Sequence, residues 1–167
     1  MEASEAFIVN EMAYANGTAV AIVEVDIETG GVKILDYVLA HDCGQIVNPM
    51  IVDGQVMGGI VHGIGNALLE QMHFDGSGQP LTTTLAEYLL PSSTDVPAPR
   101  LVHHCSPSPL NPLGVKGVGE SGVIPAAAAV IGAVEHALSD FGVRISCTPI
   151  VPAGIVELVR AKVTTRV

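Results

Sequence analysis

The sequence predicts an α+β domain in which β-hairpins pack with a glycine-rich helix and two further helices. First, β-branched and partly alternating residues between 18 and 40 indicate a hairpin. Second, apolar residues at helical spacing over 50–71 indicate a helix that also carries five glycines. Third, a glycine-rich loop at 114–122 leads into Pro125 and a run of alanines, which start another helix.

Composition limits the class of protein. A length of 167 residues suits one domain or two small lobes, and a net charge of −10 disfavours a nucleic-acid partner. Apolar residues make up 49% and charged residues 14% of the chain, with a mean hydropathy of +0.48. This is apolar for a monomer of this size, so we expect the chain to bury surface against other domains or subunits.

The apolar runs, the N-terminus and the cysteines indicate where in the cell the chain is expected. No apolar run reaches the roughly 18 residues of a membrane span, and an N-terminus with Glu2 and Glu5 lacks the positive region of a signal peptide. Cys43, Cys105 and Cys147 are odd in number and widely spaced, which argues against a disulfide framework, a zinc site or an iron–sulfur cluster held by this chain alone. A cytoplasmic location is therefore predicted.

The remaining elements follow from local patterns. Turn residues at 75–78 predict a second hairpin over 71–84, and 85–90 fits a short helix or strand. The first hairpin is expected as strands 18–26 and 32–40, with further strands at 101–105 and 143–147 and a last helix from Pro152.

The glycines of the helix at 50–71 need a physical reason. Each costs about 1 kcal/mol of helix propensity, so five cost roughly 5 kcal/mol, comparable with the stability of a small domain. Close approach of another backbone or a flat ligand would offset this cost. We therefore expect Gly58, Gly59 and Gly63 to admit a cofactor-bearing partner, and alanine at Gly59 to raise the melting temperature of the isolated domain or leave it unchanged.

The loop from Gly114 to Gly122 carries Lys116 and Glu120 just before a helix. A helix N-terminus attracts anions, and a carboxylate there could act as a positioned base beside an anionic ligand. A loop whose glycines only permit a tight turn explains the same residues. The loop alone leaves both readings open.

Two runs of reactive side chains are weaker candidates. His41, Asp42 and Cys43 contain the groups of a nucleophilic triad, but neighbours on an extended chain point to opposite faces. A turn with local hydrogen bonds is the preferred interpretation. For the same reason His103 and His104 are expected to be surface histidines.

The glycines at 117, 119 and 122 also satisfy the dinucleotide fingerprint G-x-G-x-x-G. That pattern is meaningful only directly after a strand of a βαβ unit. Pro109 and Pro112 disfavour a central strand here. A stand-alone NAD-type binding domain is therefore the second hypothesis, and a non-catalytic assembly module is the third.

Several motifs occur in a specific order along most of the chain. They are Asp42-Cys43-Gly44 with Asn48-Pro49, Gly54-Gln55 with Gly58-Gly59, the run 63–68 with Glu70, and the run from Ser108 to Gly122. Together they resemble the C-terminal molybdopterin-binding part of the large subunit of molybdenum hydroxylases, the xanthine dehydrogenase, aldehyde oxidase and carbon monoxide dehydrogenase group. The resemblance runs from about Tyr14 to about Leu158.

The resemblance implies roles for individual residues. Glu120 matches the glutamate beside the molybdenum that acts as general base, and Gln55 matches the glutamine that contacts the pterin. No residue is implied as a direct metal ligand, because the pterin holds the molybdenum. His62 departs from the glutamine of many relatives. Stretches that line the cofactor are matched by Asp42, Cys43, Asn48, Lys116, Gly117, Val118 and Gly119.

The resemblance also implies a reaction and its cofactors. The expected activity hydroxylates or oxidises an aldehyde, an N-heterocycle or carbon monoxide with oxygen derived from water. The expected cofactor is molybdopterin in its cytosine dinucleotide form with molybdenum, while iron–sulfur clusters and FAD are expected on partner subunits. A small-molecule substrate is implied, but not which one.

Large subunits of this family are several times longer than 167 residues. Residues 1–167 are therefore expected to form one domain that is a fragment, or a separately encoded piece, of such a subunit. The upstream part of the subunit is an expected partner, an oligomer is expected, and the isolated chain is expected to be inactive. Residues 1–16 and 161–167 are predicted to be flexible.

Overall fold

The computed structural model describes residues 2–8 and 11–164. These residues form a small sheet and three helices, which confirms the α+β class. A 3-10 turn at Ser139–Phe141 follows the second helix. The elements in chain order are β1 (Asn16–Val25), β2 (Val32–Asp42), α1 (Pro49–Leu68), β3 (Arg100–His104), α2 (Val123–Ala137) and α3 (Pro152–Thr164).

The sheet has the strand order β1-β2-β3. Strands β1 and β2 form the predicted hairpin, in antiparallel register with Val20 opposite Val38 and an irregularity after Ile22. Gly30, with a φ of 76°, turns the chain between them. Strand β3 lies parallel to β2 on its other side, which places His103 beside His41.

The second predicted hairpin is reduced to a single bridge between Phe74 and Pro80. The carboxylate of Asp75 accepts the backbone N–H groups of Ser77 and Gln79, at 2.8 and 3.0 Å. These side-chain bonds close the turn without a strand ladder. The turn was therefore predicted correctly, and the strands on either side of it were not.

Two further local predictions are wrong for the same kind of reason. The segment 143–147 is not a strand, because the backbone N–H of Ile145 donates to the Glu135 carboxylate on α2 at 2.7 Å. The segment 85–90 forms a turn, closed by the Glu87 carboxylate, which accepts from the backbone N–H of Thr84 at 3.1 Å. In both places a side chain replaces the backbone partner that a regular element would use.

The core consists of two neighbouring clusters. The larger lies between the inner face of the sheet and helices α1 and α2, and the smaller joins the end of α2 to α3. The backbone N–H of Ile150 donates to the carbonyl of Ala67 at 2.7 Å and ties the two regions together. Burial raises the pKa of the Tyr37 hydroxyl to about 12. The largest fully buried side chains of the larger cluster are Tyr37, Leu39, Val56, Ile60, Ile64 and Val130.

Helix α1 begins one residue before the predicted span 50–71 and ends three residues before the end of that span. Asn48 is the N-cap, its side-chain oxygen accepts the backbone N–H of Ile51 at 3.3 Å, and Pro49 occupies the first turn. Helix α1 then runs against the start of α2 with almost no side chain between the two backbones. A Cβ added to Gly122 would lie 2.1 Å from the carbonyl oxygen of Val56, and one added to Gly59 would lie 2.9 Å from the backbone nitrogen of Val123.

This contact corrects the prediction made for the helix glycines. Gly59 and Gly63 admit helix α2 of the same domain, since a Cβ on Gly63 would lie 2.5 Å from the Cβ of Ala126. The expectation that they admit an outside partner is wrong at these two positions. Gly54 and Gly58 face open space, because a Cβ added to either meets nothing within 4 Å.

None of the helices in residues 2–8 and 11–164 combines the length and the hydropathy needed to cross a membrane. Helix α3 runs to Thr164, so it includes part of the C-terminal segment for which flexibility was predicted. The flexibility of 1–16 and 161–167 stays a prediction, and residues 1, 9, 10 and 165–167 lie outside the described part.

Substituting Gly59 with alanine should destabilise the chain. Overpacking against backbone costs roughly 1–3 kcal/mol, and the gain in helix propensity returns only about 1 kcal/mol of it. The matched control is Gly58→Ala, which should raise the free energy of unfolding by up to about 1 kcal/mol because its surroundings are open. Urea unfolding of both variants measures the difference, and equal stabilities would contradict the packing described for Gly59.

Candidate functional site

The glycine-rich loop 114–122 is bound to the end of β2. Gly44 and Val115 form an antiparallel bridge, and the backbone N–H of Lys116 donates to the carbonyl of Cys43 at 2.8 Å. Gly44 has a φ of 69°, and a Cβ there would lie 2.2 Å from a carbonyl oxygen of the loop. The close approach therefore requires glycine at this position.

A buried ion pair between Lys116 of the loop and Asp42 of β2 also holds the loop in place. The Lys116 ammonium lies 2.9 Å from Oδ2 of Asp42, and both side chains are about one-tenth exposed, at 9% and 10%. Oδ1 of Asp42 also accepts the backbone N–H groups of Gly44 at 2.8 Å and Ser106 at 3.1 Å. The hydrogen bond from Lys116, followed by that from Gly44, lowers the pKa of Asp42 to about 2. The carboxylate thus joins β2, the loop and the segment after β3.

Helix α1 supplies a third attachment. Nε2 of Gln55 donates to the carbonyl of Gly119 at 2.9 Å, across 64 residues of sequence. This bond is possible because Gly59 and Gly122 let α1 and the start of α2 come close. Gln55 is exposed, so its amide retains an acceptor and a donor on the solvent side.

A cleft of about 420 Å³ opens beside the loop, between the start of β1 and the start of α2. The Glu120 side chain is exposed at this cleft, and its carboxylate accepts no hydrogen bond from residues 2–8 or 11–164. Gly117 and Gly119 leave the backbone uncovered, since a Cβ at either would meet nothing within 4 Å. The cleft is lined by Ala13, Tyr14, Ala15, Asn16, Gly17, Gly117, Gly119, Glu120, Ser121, Ile124 and Pro125.

The polar groups along this wall suit an anionic, hydrogen-bonding ligand. Within the described chain, the backbone N–H groups of residues 117–120 donate to no protein acceptor. The hydroxyl of Ser121 is buried at the cleft and has no hydrogen-bond partner there. Free N–H groups on a glycine-rich turn before a helix are the usual protein donors to phosphate and oxyanion groups. The residues present therefore fit a pterin cofactor that carries phosphate.

The predicted site residues separate into two sets. Gln55, Gly117, Gly119 and Glu120 are exposed at or next to the cleft, whereas Asp42, Cys43 and Lys116 lie mostly inside, where they hold the loop. Burial raises the pKa of the Cys43 thiol, which disfavours the nucleophilic thiolate. Asn48 caps α1, and Val118 packs against the core. Direct cofactor contacts of these residues stay predictions.

A histidine chain was missed by the sequence reasoning. Nδ1 of His103 lies 2.8 Å from Nε2 of His41, and Nε2 of His103 lies 2.8 Å from Oδ1 of Asp53 on α1. His103 and His104 are both exposed, as predicted, but His103 also has side-chain partners that the prediction did not include. Burial, and then the neighbouring His103, lower the pKa of His41. The contact between His103 and His41 was not predicted because it depends on the pairing of β3 with β2, for which the sequence gives no local signal.

Tyr14 and Asn16 were also missed as residues of the cleft, because residues 1–16 show little periodicity. No triad forms at 41–43. His41 faces His103, whereas Asp42 faces Lys116, so neighbouring side chains take different partners as their opposite directions require. The preferred reading of that run as a structural turn with local hydrogen bonds agrees with the bond from Gly44 to Asp42.

Comparisons with known proteins identify the family of this chain. The family profile described as "Molybdopterin cofactor-binding domain" matches residues 3–97, more than half of the chain. The match thus defines a cofactor-binding domain. The chain belongs to the molybdopterin cofactor-binding domain family of the molybdenum hydroxylases.

Individual relatives support the same assignment. The chain is 41% identical over 157 residues, 94% of its length, to 19% of the nicotine 6-hydroxylase large subunit of Paenarthrobacter nicotinovorans. It is 40% identical over 127 residues, 74% of its length, to 16% of the carbon monoxide dehydrogenase large chain of Hydrogenophaga pseudoflava. The structure of quinoline 2-oxidoreductase from Pseudomonas putida 86 superposes with a TM-score of 0.85 and 47% identity, over 87% of this chain and 19% of that one. The chain thus spans about a fifth of the length of the curated relatives that it matches first.

The dinucleotide hypothesis is not supported. In the described structure no strand runs directly into the glycine loop, because β3 ends at His104 and Val115 contributes only an isolated bridge. The parallel strands β2 and β3 are connected through α1, so the loop is not the first turn of a βαβ unit. The matched relatives are molybdenum hydroxylases instead.

The ion pair between Asp42 and Lys116 should make part of the stability depend on pH. The pKa of Asp42 is lower in the folded chain than its ordinary value, so its stabilising effect is complete above about pH 4 and is lost as the pH falls to about 2. The variant Asp42→Asn should be clearly less stable than wild type at pH 7, and this difference should shrink over that interval. Urea unfolding at pH 7, 4 and 2.5 measures it.

The control is Asp36→Asn, which removes an exposed ion pair with Arg100. Solvent screens this pair, so Asp36→Asn should change the stability and its pH dependence much less than Asp42→Asn does. A stability difference for Asp42→Asn that does not change between pH 4 and 2.5 would show that the carboxylate charge does not hold the loop.

Proposed function

We propose that this chain is the molybdenum-cofactor-binding part of an oxidoreductase that hydroxylates or oxidises a small molecule with water-derived oxygen, and that Glu120 is its general base. The observation that carries the proposal is the free Glu120 carboxylate beside free backbone N–H groups at an open cleft. A proton acceptor and a set of anion donors are thus held on one short, rigidly attached loop. Family membership supports the same conclusion.

Different residues of the chain would bind the cofactor and take up the proton. A bound molybdopterin would supply the redox chemistry. The N–H groups of residues 117–120 would donate to its anionic groups, and the free part of the Gln55 amide would contact the pterin. An oxygen of the Glu120 carboxylate would take a proton from the attacking water-derived nucleophile. A positioned base of this kind accelerates such a step by roughly 10²–10⁴-fold.

The remaining predicted residues are proposed to complete the cofactor site. Asp42, Cys43 and Asn48 would line it from the end of β2 and the start of α1, and Val118 from the loop. Lys116 contributes mainly by holding the loop, because its ammonium is paired with Asp42. The buried pair keeps residues 117–120 in place while their N–H groups stay free.

Further features of the complete enzyme belong to the same proposal. The pterin would be the cytosine dinucleotide form, with iron–sulfur clusters and FAD on partner subunits in the cytoplasm. The rest of the large subunit would complete the substrate site, so the isolated chain would be inactive. The relatives are named for nicotine, carbon monoxide and quinoline, which supports an N-heterocycle or carbon monoxide as the substrate class, with an aldehyde as the third possibility.

Replacing Glu120 with glutamine in the assembled enzyme tests the proposal. The variant should retain molybdenum and pterin, because the cofactor donors are backbone groups, while turnover should fall by about 10²–10⁴-fold or more. Metal analysis and steady-state turnover measure the two effects. The control Glu157→Gln changes an exposed glutamate on α3 and should leave both unchanged. Near-normal turnover of Glu120→Gln would remove this residue from the mechanism.

A further inference from the structure

We propose that the sheet of this domain continues across the free edge of β1 into a strand supplied by the rest of the large subunit, an inference that rests on the proposed function. Strand β1 is 10 residues long and stands at one end of the order β1-β2-β3. Among residues 2–8 and 11–164, no strand pairs with its outer side. Its outward N–H and C=O groups are therefore free to accept another strand.

The two edges of the sheet differ in how they are protected. Natural proteins blunt a permanent edge with short strands, charged side chains and proline. Strand β3 has five residues, includes Arg100 and two histidines, and follows Pro97 and Pro99. Strand β1 is twice as long, carries Glu24 as its single charged residue, and has no proline or lysine. Strand β3 has the features of a permanent edge, and β1 has those of an internal strand.

The side chains of β1 show the same pattern. Its inner face packs on helix α2 through Ala19, Ala21 and Val23. On the outer face Val20 is 56% and Ile22 is 51% exposed. A strand with apolar residues on both faces is typical of the interior of a sheet that is covered on both sides. An added strand and the chain that follows it would cover this outer face.

Two observations indicate that the strand beside β1 comes from the rest of the large subunit: the length of the relatives and the position of the cleft. The matched relatives have about four fifths of their chain outside the part that corresponds to these residues, which span 19% of the nicotine 6-hydroxylase large subunit. Asn16 and Gly17 belong to β1 and also line the cleft that contains Glu120. A strand along β1 would therefore reach the open side of this cleft. Enclosure of a cofactor normally requires such a second wall.

Recognition would be by β-augmentation. The added strand would form backbone hydrogen bonds with β1, and its outward side chains would pack beside Val20 and Ile22. No particular side-chain chemistry is needed beyond an extended segment with apolar residues on alternate positions. A second copy of this chain could use the same edge, and the experiment separates that case.

A chimera provides the test, with this chain in place of the matching segment of the nicotine 6-hydroxylase large subunit. Alternate amides of β1, those that point away from β2, should exchange hydrogen at least about tenfold more slowly in the chimera than in the chain alone. The substitutions V20K and I22K together should abolish this protection, because lysine blocks strand addition at an edge. The control V102K, on β3 and 51% exposed in the wild type, should not.

Three results would overturn the inference. The first is that the β1 amides exchange equally fast in the chimera and in the isolated chain. The second is that V102K removes the protection while V20K and I22K together do not, and the third is that the isolated chain forms a dimer in which β1 is already protected. Misfolding of the lysine variants leaves the wild-type comparison decisive. Hydrogen exchange needs no molybdenum, so it tests this inference separately from the proposed function. Protected β1 amides in an inactive chimera would contradict the proposed function alone. Unprotected β1 amides in an active chimera would contradict this inference alone.

Discussion

The site depends on the backbone contact between helix α1 and the start of α2. Gly122 leaves no room for a Cβ against the carbonyl of Val56, and Gly59 leaves little against Val123. Because these backbones touch, Gln55 reaches the carbonyl of Gly119 and the loop runs along the helix. A larger residue at either glycine would push the helices apart and move the loop. Glycines that weaken α1 in isolation therefore position the site in the folded domain.

Charge fixes the other end of the loop. Burying a carboxylate and an ammonium is costly, and the cost is recovered only when both are fully hydrogen-bonded. The Asp42 carboxylate accepts hydrogen bonds from Lys116 and from two backbone N–H groups. Removal of either member of the pair would leave an uncompensated buried charge. The pair thus favours one arrangement of β2, the loop and the segment after β3 over alternatives in which these parts separate.

What could be predicted from the sequence is what is encoded locally. The hairpin at 18–40, helix α1 and the glycine loop before α2 follow from residue patterns within each segment. What could not be predicted depends on pairing across the chain. The glycines of α1 signalled a close approach, but not that α2 makes it, and His103 acquires its role only because β3 lies beside β2. Segment 143–147 failed similarly, because its partner is a side chain on α2.

The contacts that hold the loop come from several parts of the chain, while the carboxylate of Glu120 stays exposed. This explains why the motif residues are spread along the chain. The role proposed for Glu120 requires an accessible carboxylate, so this residue cannot be held by its own side chain without losing its capacity to accept a proton. It is held instead through its backbone, whose carbonyl accepts from Val123 and Ile124 at the start of α2. The parts that hold this backbone lie on β2, on α1 and in the loop, and each supplies one contact. Distant stretches such as 42–44 and 54–55 are thus tied to one loop, and the proposed chemistry needs only a single free carboxylate on it.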